Sequence, residues 1–360
     1  MKKFLALVLS LIMVLSLVAC GGTSDDTATD DTATDDTTES AGIQVNAEDL
    51  KVAILLPGTI NDMGWSTTAY NGLLAIGEHY GCETNYMETV PVSGYEEGFR
   101  NYANSGYNVI FGHGSEFYDA AELVAAEFPE VAFIVTSIDK SNGTNCASVN
   151  TLPHQMGFLA GIAAAYASQS GIVATVGGVQ YVSINDALNG FFAGAKYANP
   201  DIELLYNITG DDFDTAKCKE VTLAMIDQGA DVIFYDADAA GLGALEACQE
   251  RGVLAIPAIA DQKDLGPDVV LMSSCNALGA AMDFVVGKVV DGTFEGNFYP
   301  MGCESGAVFY VVNEPVWNES MSEEGAAAVQ AMFDEFVANP GAEYVDNLIA
   351  EYCPADLFLA

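Results

Sequence analysis

The stretch VIFYDADAAGLGALEACQERGVLAI, residues 232–256, decides the fold. Val232-Ile233-Phe234-Tyr235 is a short unbroken apolar run of β-branched and aromatic residues, which fits a strand covered on both faces. Residues 243–250 follow with helical spacing, and 253–256 form a second run of the first kind. Strand, helix and strand in such close succession make one βαβ unit, whose strands run parallel. The same unit recurs on either side. Upstream lie strands at 203–208 and 172–176, with helices at 214–228, 185–197 and 155–168. Further upstream, 52–56, 109–111 and 131–136 read as strands, and 63–80 and 116–128 as helices, the latter ended by Pro129. Two runs of this alternation predict an α/β protein of two lobes. Beyond Gly306 the pattern is less regular, with a strand at 308–312 and a helix at 323–337.

The N-terminus carries an address. Lys2 and Lys3 precede an unbroken apolar stretch over 4–19, and Leu17-Val18-Ala19-Cys20 closes it. A positive start, a short apolar run and a small residue before the cut mark a signal peptide. The run is shorter than the roughly 20 residues of a membrane span. The cysteine resembles that of the bacterial lipobox, which implies removal of 1–19, lipid on Cys20 and a place on the outer face of the cell membrane. Residues 21–40 repeat Asp-Asp-Thr-Ala-Thr without Leu, Ile, Val or any aromatic. Such a stretch cannot bury enough apolar surface to offset its ordering entropy, so 20–46 is expected to be an extended acidic tether.

The chain has 51 acidic and 11 basic residues, a net charge of −40. Nucleic acid is excluded as a partner, because phosphate binding needs Lys and Arg. Arg100 and Arg251, the only arginines, both fall in helical segments. With no arginine clamp for a phosphate or free carboxylate, the expected ligand is neutral or weakly cationic. The seven cysteines beyond Cys20 are odd in number and widely spaced, which argues against a disulfide framework or a zinc site. Ser137-Ile138-Asp139-Lys140 matches Ser-x-x-Lys, but the companion signatures of penicillin-binding enzymes are missing. His79, His113 and His154 are scattered. No enzyme activity, cofactor or metal is expected.

In open parallel sheets, ligands sit beyond the carboxyl ends of the strands. The loops there are 57–65, 112–117, 136–139, 177–181, 210–213, 236–238 and 259–262, which hold aromatic, small and acidic residues. That mixture suits an uncharged aromatic heterocycle, stacked by rings and read along its N–H edge by Asp or Asn. The candidate contacts are Asn61, Asp62, Trp65, His113, Phe117, Tyr181, Phe213, Asp238 and Asp261.

Several segments resemble those of the basic-membrane-protein family of substrate-binding lipoproteins, the purine nucleoside receptors of ABC transporters. They are GTINDMGWSTTAYNG (58–72), ASVNTLPHQMGFLAG (147–161), GFFAGAKYANP (190–200), FDTAKCK (213–219), DQGADV (227–232) and Ala260-Asp261-Gln262, in family order through both lobes. The resemblance implies a type I periplasmic-binding-protein fold, with two Rossmann-like lobes, a three-strand hinge and a cleft that closes on ligand. It also implies a membrane permease as partner and a protein acting as a monomer. The first lobe would span 48–150 with a return over 262–302, and the second 151–261 with a return over 303–360. By position, Trp65 falls where the family stacks an aromatic on the base, and Phe213 near the second stacking position. Asn61 and Asp62 fall in the first reading loop, and Asp238 where a polar group follows a second-lobe strand. Two positions depart. The family's ribose-binding acid falls at Ile259, and its late-loop lysine at Asn276. These losses favour a purine base or similar neutral heterocycle over a complete nucleoside.

Overall fold

The computed structural model describes residues 42–61 and 65–360. The signal segment, Cys20, the tether to residue 41 and Asp62 lie outside the described residues. The first half alternates β1 (Lys51–Leu55), α1 (Trp65–Tyr80), β2 (Glu83–Met87), α2 (Tyr95–Asn104), β3 (Val109–Gly112), α3 (Tyr118–Ala125), β4 (Ala132–Thr136) and β5 (Cys146–Thr151). The chain then crosses to α4 (Pro153–Ala167), β6 (Ile172–Gly177), α5 (Val182–Ala198), β7 (Glu203–Ile208), α6 (Thr215–Asp227), β8 (Val232–Asp236), α7 (Gly241–Arg251), β9 (Leu254–Ile259) and β10 (Met272–Asn276). It returns with α8 (Leu278–Val290) and β11 (Phe298–Met301), and ends with β12 (Val308–Val312), α9 (Glu314–Ser320), α10 (Glu323–Ala338) and α11 (Ala342–Tyr352).

These strands form two sheets, ordered β11-β5-β4-β3-β1-β2 and β12-β10-β9-β8-β6-β7. Every pairing is parallel except β10 with β12. The chain therefore passes between the sheets three times, at 152, at 277 and at 302–307. This is the two-lobe architecture with a three-stranded hinge.

Two boundaries differ from the sequence reading. β10 pairs with β9 and β12, so the return to the first lobe begins at 277 rather than 262. At the other end, Ile43 bridges Phe294 and the Val45 N–H reaches the Val289 carbonyl at 3.2 Å. Ile43 and Val45 pack on the first-lobe core, so the ordered fold starts before residue 46.

Each sheet is covered on both faces, which is why its strands read as apolar runs. Alternate residues of β8 divide between two cores: Val232 and Phe234 face α4 and α5, while Ile233 and Tyr235 face α6 and α7. α4 is buried on all sides except at Ala165 and Tyr166, a helix with no solvent face. Gly157 and Gly161 of α4 lie against the α5 backbone at Ala187, Phe191 and Ala195, and Gly190 and Gly194 of α5 against the α4 backbone at His154 and Phe158. A Cβ on Gly161 would lie 2.2 Å from the Phe191 carbonyl oxygen, and one on Gly194 2.1 Å from that of Phe158. The two backbones touch, and only glycine allows it.

Candidate ligand-binding cleft

β1 lies between β2 and β3, and β6 between β7 and β8. The strand order thus reverses once in each sheet, and a crevice opens beyond the strand ends at such a switch point. At the first of these, Trp65 starts α1 and His113 follows β3. Their rings stack with centroids 4.1 Å apart at 27°. The imidazole Nε2 lies 3.1 Å from the Trp65 carbonyl oxygen and Nδ1 2.9 Å from the Thr136 hydroxyl. A carbonyl only accepts, so Nε2 donates. The Thr136 oxygen accepts the Gly114 N–H at 3.0 Å, leaving its own proton to point at Nδ1. His113 is fully buried. It holds Trp65 by ring and by backbone, which places it as a support beneath the indole.

The second switch point is acidic. Asp236 closes β8 with 5 % exposure, and its neighbour across the sheet is Gly177. Asp212, also buried, accepts the Val179 N–H at 2.9 Å. Gly178 lets it approach: a Cβ there would meet the Asp212 Oδ1 at 1.9 Å. Burial pushes the Asp236 carboxyl up to about 8, with Asp238 and Asp212 adding to the shift. Tyr181 stands 55 % exposed at the entry to α5. Its phenol is raised by burial first, then by Asp212 and Asp238 of its own lobe and by Glu116 of the other. The loops at 116 and 181 are therefore within electrostatic reach across the cleft.

Backbone strain gathers at the same rims. Thr89, Ser137, Asp238 and Ile259 have φ of 53°, 61°, 42° and 76°. They follow or close β2, β4, β8 and β9. A β-branched residue at positive φ is costly, and such strain collects at ligand sites. Ile259 is the position where an acidic residue was expected from the resemblance.

The other candidates separate clearly. Phe117 is fully buried and stacks on Tyr95 at 3.9 Å, so it is a core residue, placed there by the apolar face of α2 and α3. The Asp261 carboxylate takes the Lys263 amide at 3.1 Å and the Ser273 hydroxyl at 3.1 Å, and pairs with the Lys263 ammonium. That is a turn residue already engaged. Asn61 is exposed on the first-lobe rim. Phe213 is 74 % exposed on the second-lobe rim, its N–H held by Asp211. Asp212 and Asp236 fall in the loops that the sequence places at the site, 210–213 and 236–238, without being named there as contacts. The available signal was an acid closing an apolar strand run, where solvent-facing loop residues are the rule. Cavities of about 240 Å³ beside Glu97 and Asn101 and about 330 Å³ beside Phe284 and Tyr299 include none of these groups.

Two lobes, three crossings and facing switch-point loops define a substrate-binding protein of the periplasmic type. The chain belongs to the PnrA-like family of ABC transporter substrate-binding proteins, whose family model matches residues 49–339. The transcriptional activator protein Med of Bacillus subtilis is 30 % identical over 78 % of this chain and 87 % of its own. The ABC transporter nucleoside-binding protein BmpA of Lactococcus lactis is 28 % identical over 69 % of this chain and 77 % of its own. Among solved structures, an ABC transporter solute-binding protein of Aeropyrum pernix superposes with a TM-score of 0.70 at 20 % identity, covering 86 % of this chain and 98 % of that one.

Proposed function

We propose that this chain is the lipid-anchored, extracytoplasmic receptor of an ABC importer, and that it binds a purine base or similar neutral heterocycle in the cleft. The observation that carries this reading is the Trp65 indole, fixed by His113 at one switch point, with the buried acids Asp212 and Asp236 at the other. An aromatic platform stacks a base, and carboxyl groups read its N–H edge. The ligand bridges both lobes and favours the closed state by the contacts it adds there. Cys20 supplies the lipid anchor in this reading. No helix among the described residues is long and apolar enough to cross a membrane.

A complete nucleoside is the second reading, supported by the printed name of the Lactococcus relative. Ile259 speaks against it, since an apolar side chain offers nothing to ribose hydroxyls. A thermal-shift screen of residues 42–360 with bases, nucleosides, sugars and amino acids separates the readings. Bases are expected to raise the melting temperature by mass action, with nucleosides weaker and Ile259→Asp moving the balance toward nucleosides. A shift with sugars or amino acids alone would overturn the ligand assignment.

A further inference from the structure

One group in the cleft has no protein partner. Asp236 is 5 % exposed as a residue, and among the described residues no hydrogen bond reaches its carboxyl, whose oxygens are not among the fully enclosed unpartnered atoms. A carboxylate with so little access to water is costly to ionise, and both neighbouring carboxylates make this one worse. Asp212 spends an oxygen on the Val179 N–H, and Asp238 sits on a strained left-handed backbone two residues on. Other charged groups packed around β8 have partners of their own. Asp186 of α5 interacts with Asp346 and Asp139, and His154 of α4 lies beside Asp346. Glu246 and Glu250 of α7 pair with Lys219, Arg251 pairs with Asp227, and Lys217 turns its ammonium to the Thr209 carbonyl. Tyr181 shares the field of Asp212 and Asp238.

We infer that Asp236 is a specificity-determining residue of this site, its carboxyl donating one hydrogen bond and accepting another, so that it pairs with a ligand edge carrying an acceptor nitrogen beside an N–H. The inference rests on the reading of the cleft as a heterocycle site. The edge is that of adenine at its ring nitrogen and amino group. An edge with two adjacent N–H groups, as in guanine, needs two acceptors and suits an ionised carboxylate instead. Burial first, and then both carboxylate neighbours, oppose ionisation of Asp236 and push its carboxyl up to about 8. The proton it keeps below that pH is the one donated to the ligand.

Titration calorimetry with adenine and adenosine, which share this edge, tests the role. The wild-type affinity is expected to fall about tenfold between pH 7 and pH 9 as the proton is lost. Asp236→Asn keeps a donor beside an acceptor and should bind with no such fall. Asp236→Ala should bind on the order of tenfold more weakly at pH 7 and also without pH dependence. A flat wild-type profile, an unweakened Asp236→Ala protein, or binding confined to guanine and guanosine would overturn the role. If no purine base or nucleoside binds at any pH, the functional reading itself fails, an outcome distinct from these three.

Discussion

Trp65 shows how a residue can be legible in sequence while its mechanism is not. A tryptophan after a glycine at a strand-to-helix turn reads as a rim aromatic from spacing alone. What the spacing lacks is His113, 48 residues on, which comes under the indole and takes hold of its carbonyl. Loop position between two glycines suggested that His113 touches ligand, yet burial makes it part of the platform. Phe117 misled in the same way, because a strand-end loop can turn inward as easily as outward. Replacing Trp65 by Ala is expected to weaken binding by about 1–3 kcal/mol, the range for one base stacked on one aromatic. His113→Ala should lose about 1 kcal/mol with Trp65 intact, through a loosened platform. In the double variant the two losses should not add, since both remove one stack. Additive losses would show that His113 acts on the ligand independently.

Elements were legible where apolar runs were continuous. β1, β3, β4, β6, β8 and β9 are buried on both faces, and each announces itself. β2 is ETNYM at a sheet edge, with no buried residue in it, and β10 is MSSCN, buried but polar. β11 is FYPM, and Pro300 is tolerated because the strand lies at the edge of its sheet. Missing β10 also moved the second hinge crossing. α4 and α5 were found, but the four glycines that seat them against each other became meaningful only with the packing in view. A side chain at 161 would collide with the Phe191 carbonyl and with the Ala195 nitrogen at 2.6 Å. These are backbone atoms of a buried helix and have little room to yield. Gly161→Val should therefore cost about 1–3 kcal/mol or more in urea unfolding. An unchanged midpoint would mean that the helix pair separates without penalty, contrary to the contact described.

For the whole molecule, buried Asp236 and His154 and half-buried Asp186 set how stability varies with pH. Asp236 and Asp186 are pushed up to about 8 and about 7, burial being the main cause in each, with Asp346 and Asp139 adding at Asp186. In the unfolded chain both ionise near 3.9. The native state then holds more protons than the unfolded one above that value, so this contribution falls from about pH 4 upward and is gone once pH has passed about 7 for Asp186 and about 8 for Asp236. His154 works in the opposite sense. Burial pushes it down to about 4, against roughly 6.5 unfolded. Its Nε2 is 3.5 Å from the Asp346 carboxylate, too far for a good hydrogen bond, and a neutral ring makes no ion pair there. Below 6.5 the unfolded chain takes up this proton first, so its contribution falls as pH drops from 6.5 toward 4. Between about pH 4 and 6.5 the two carboxyl protons held by the native state outweigh the one imidazole proton held by the unfolded state, so the carboxyls set the sign there too. Unfolding free energy should decline across pH 5 to 8, by on the order of 2 kcal/mol between pH 6.5 and 8.5. The surface carboxylates held below their ordinary range, such as Glu83 beside Lys51 and Glu127 beside Arg100, lose their contribution only in more acidic solution and leave this window untouched. Urea unfolding at constant ionic strength from pH 5 to 8.5 measures the curve. Asp186→Asn with Asp236→Asn should reverse the slope below pH 6.5, leaving the rise due to His154, and flatten the curve above it. A stability that keeps rising through pH 8 would show that both carboxyls ionise freely in the native cleft. It would remove the protonated Asp236 on which the pH-dependent recognition depends.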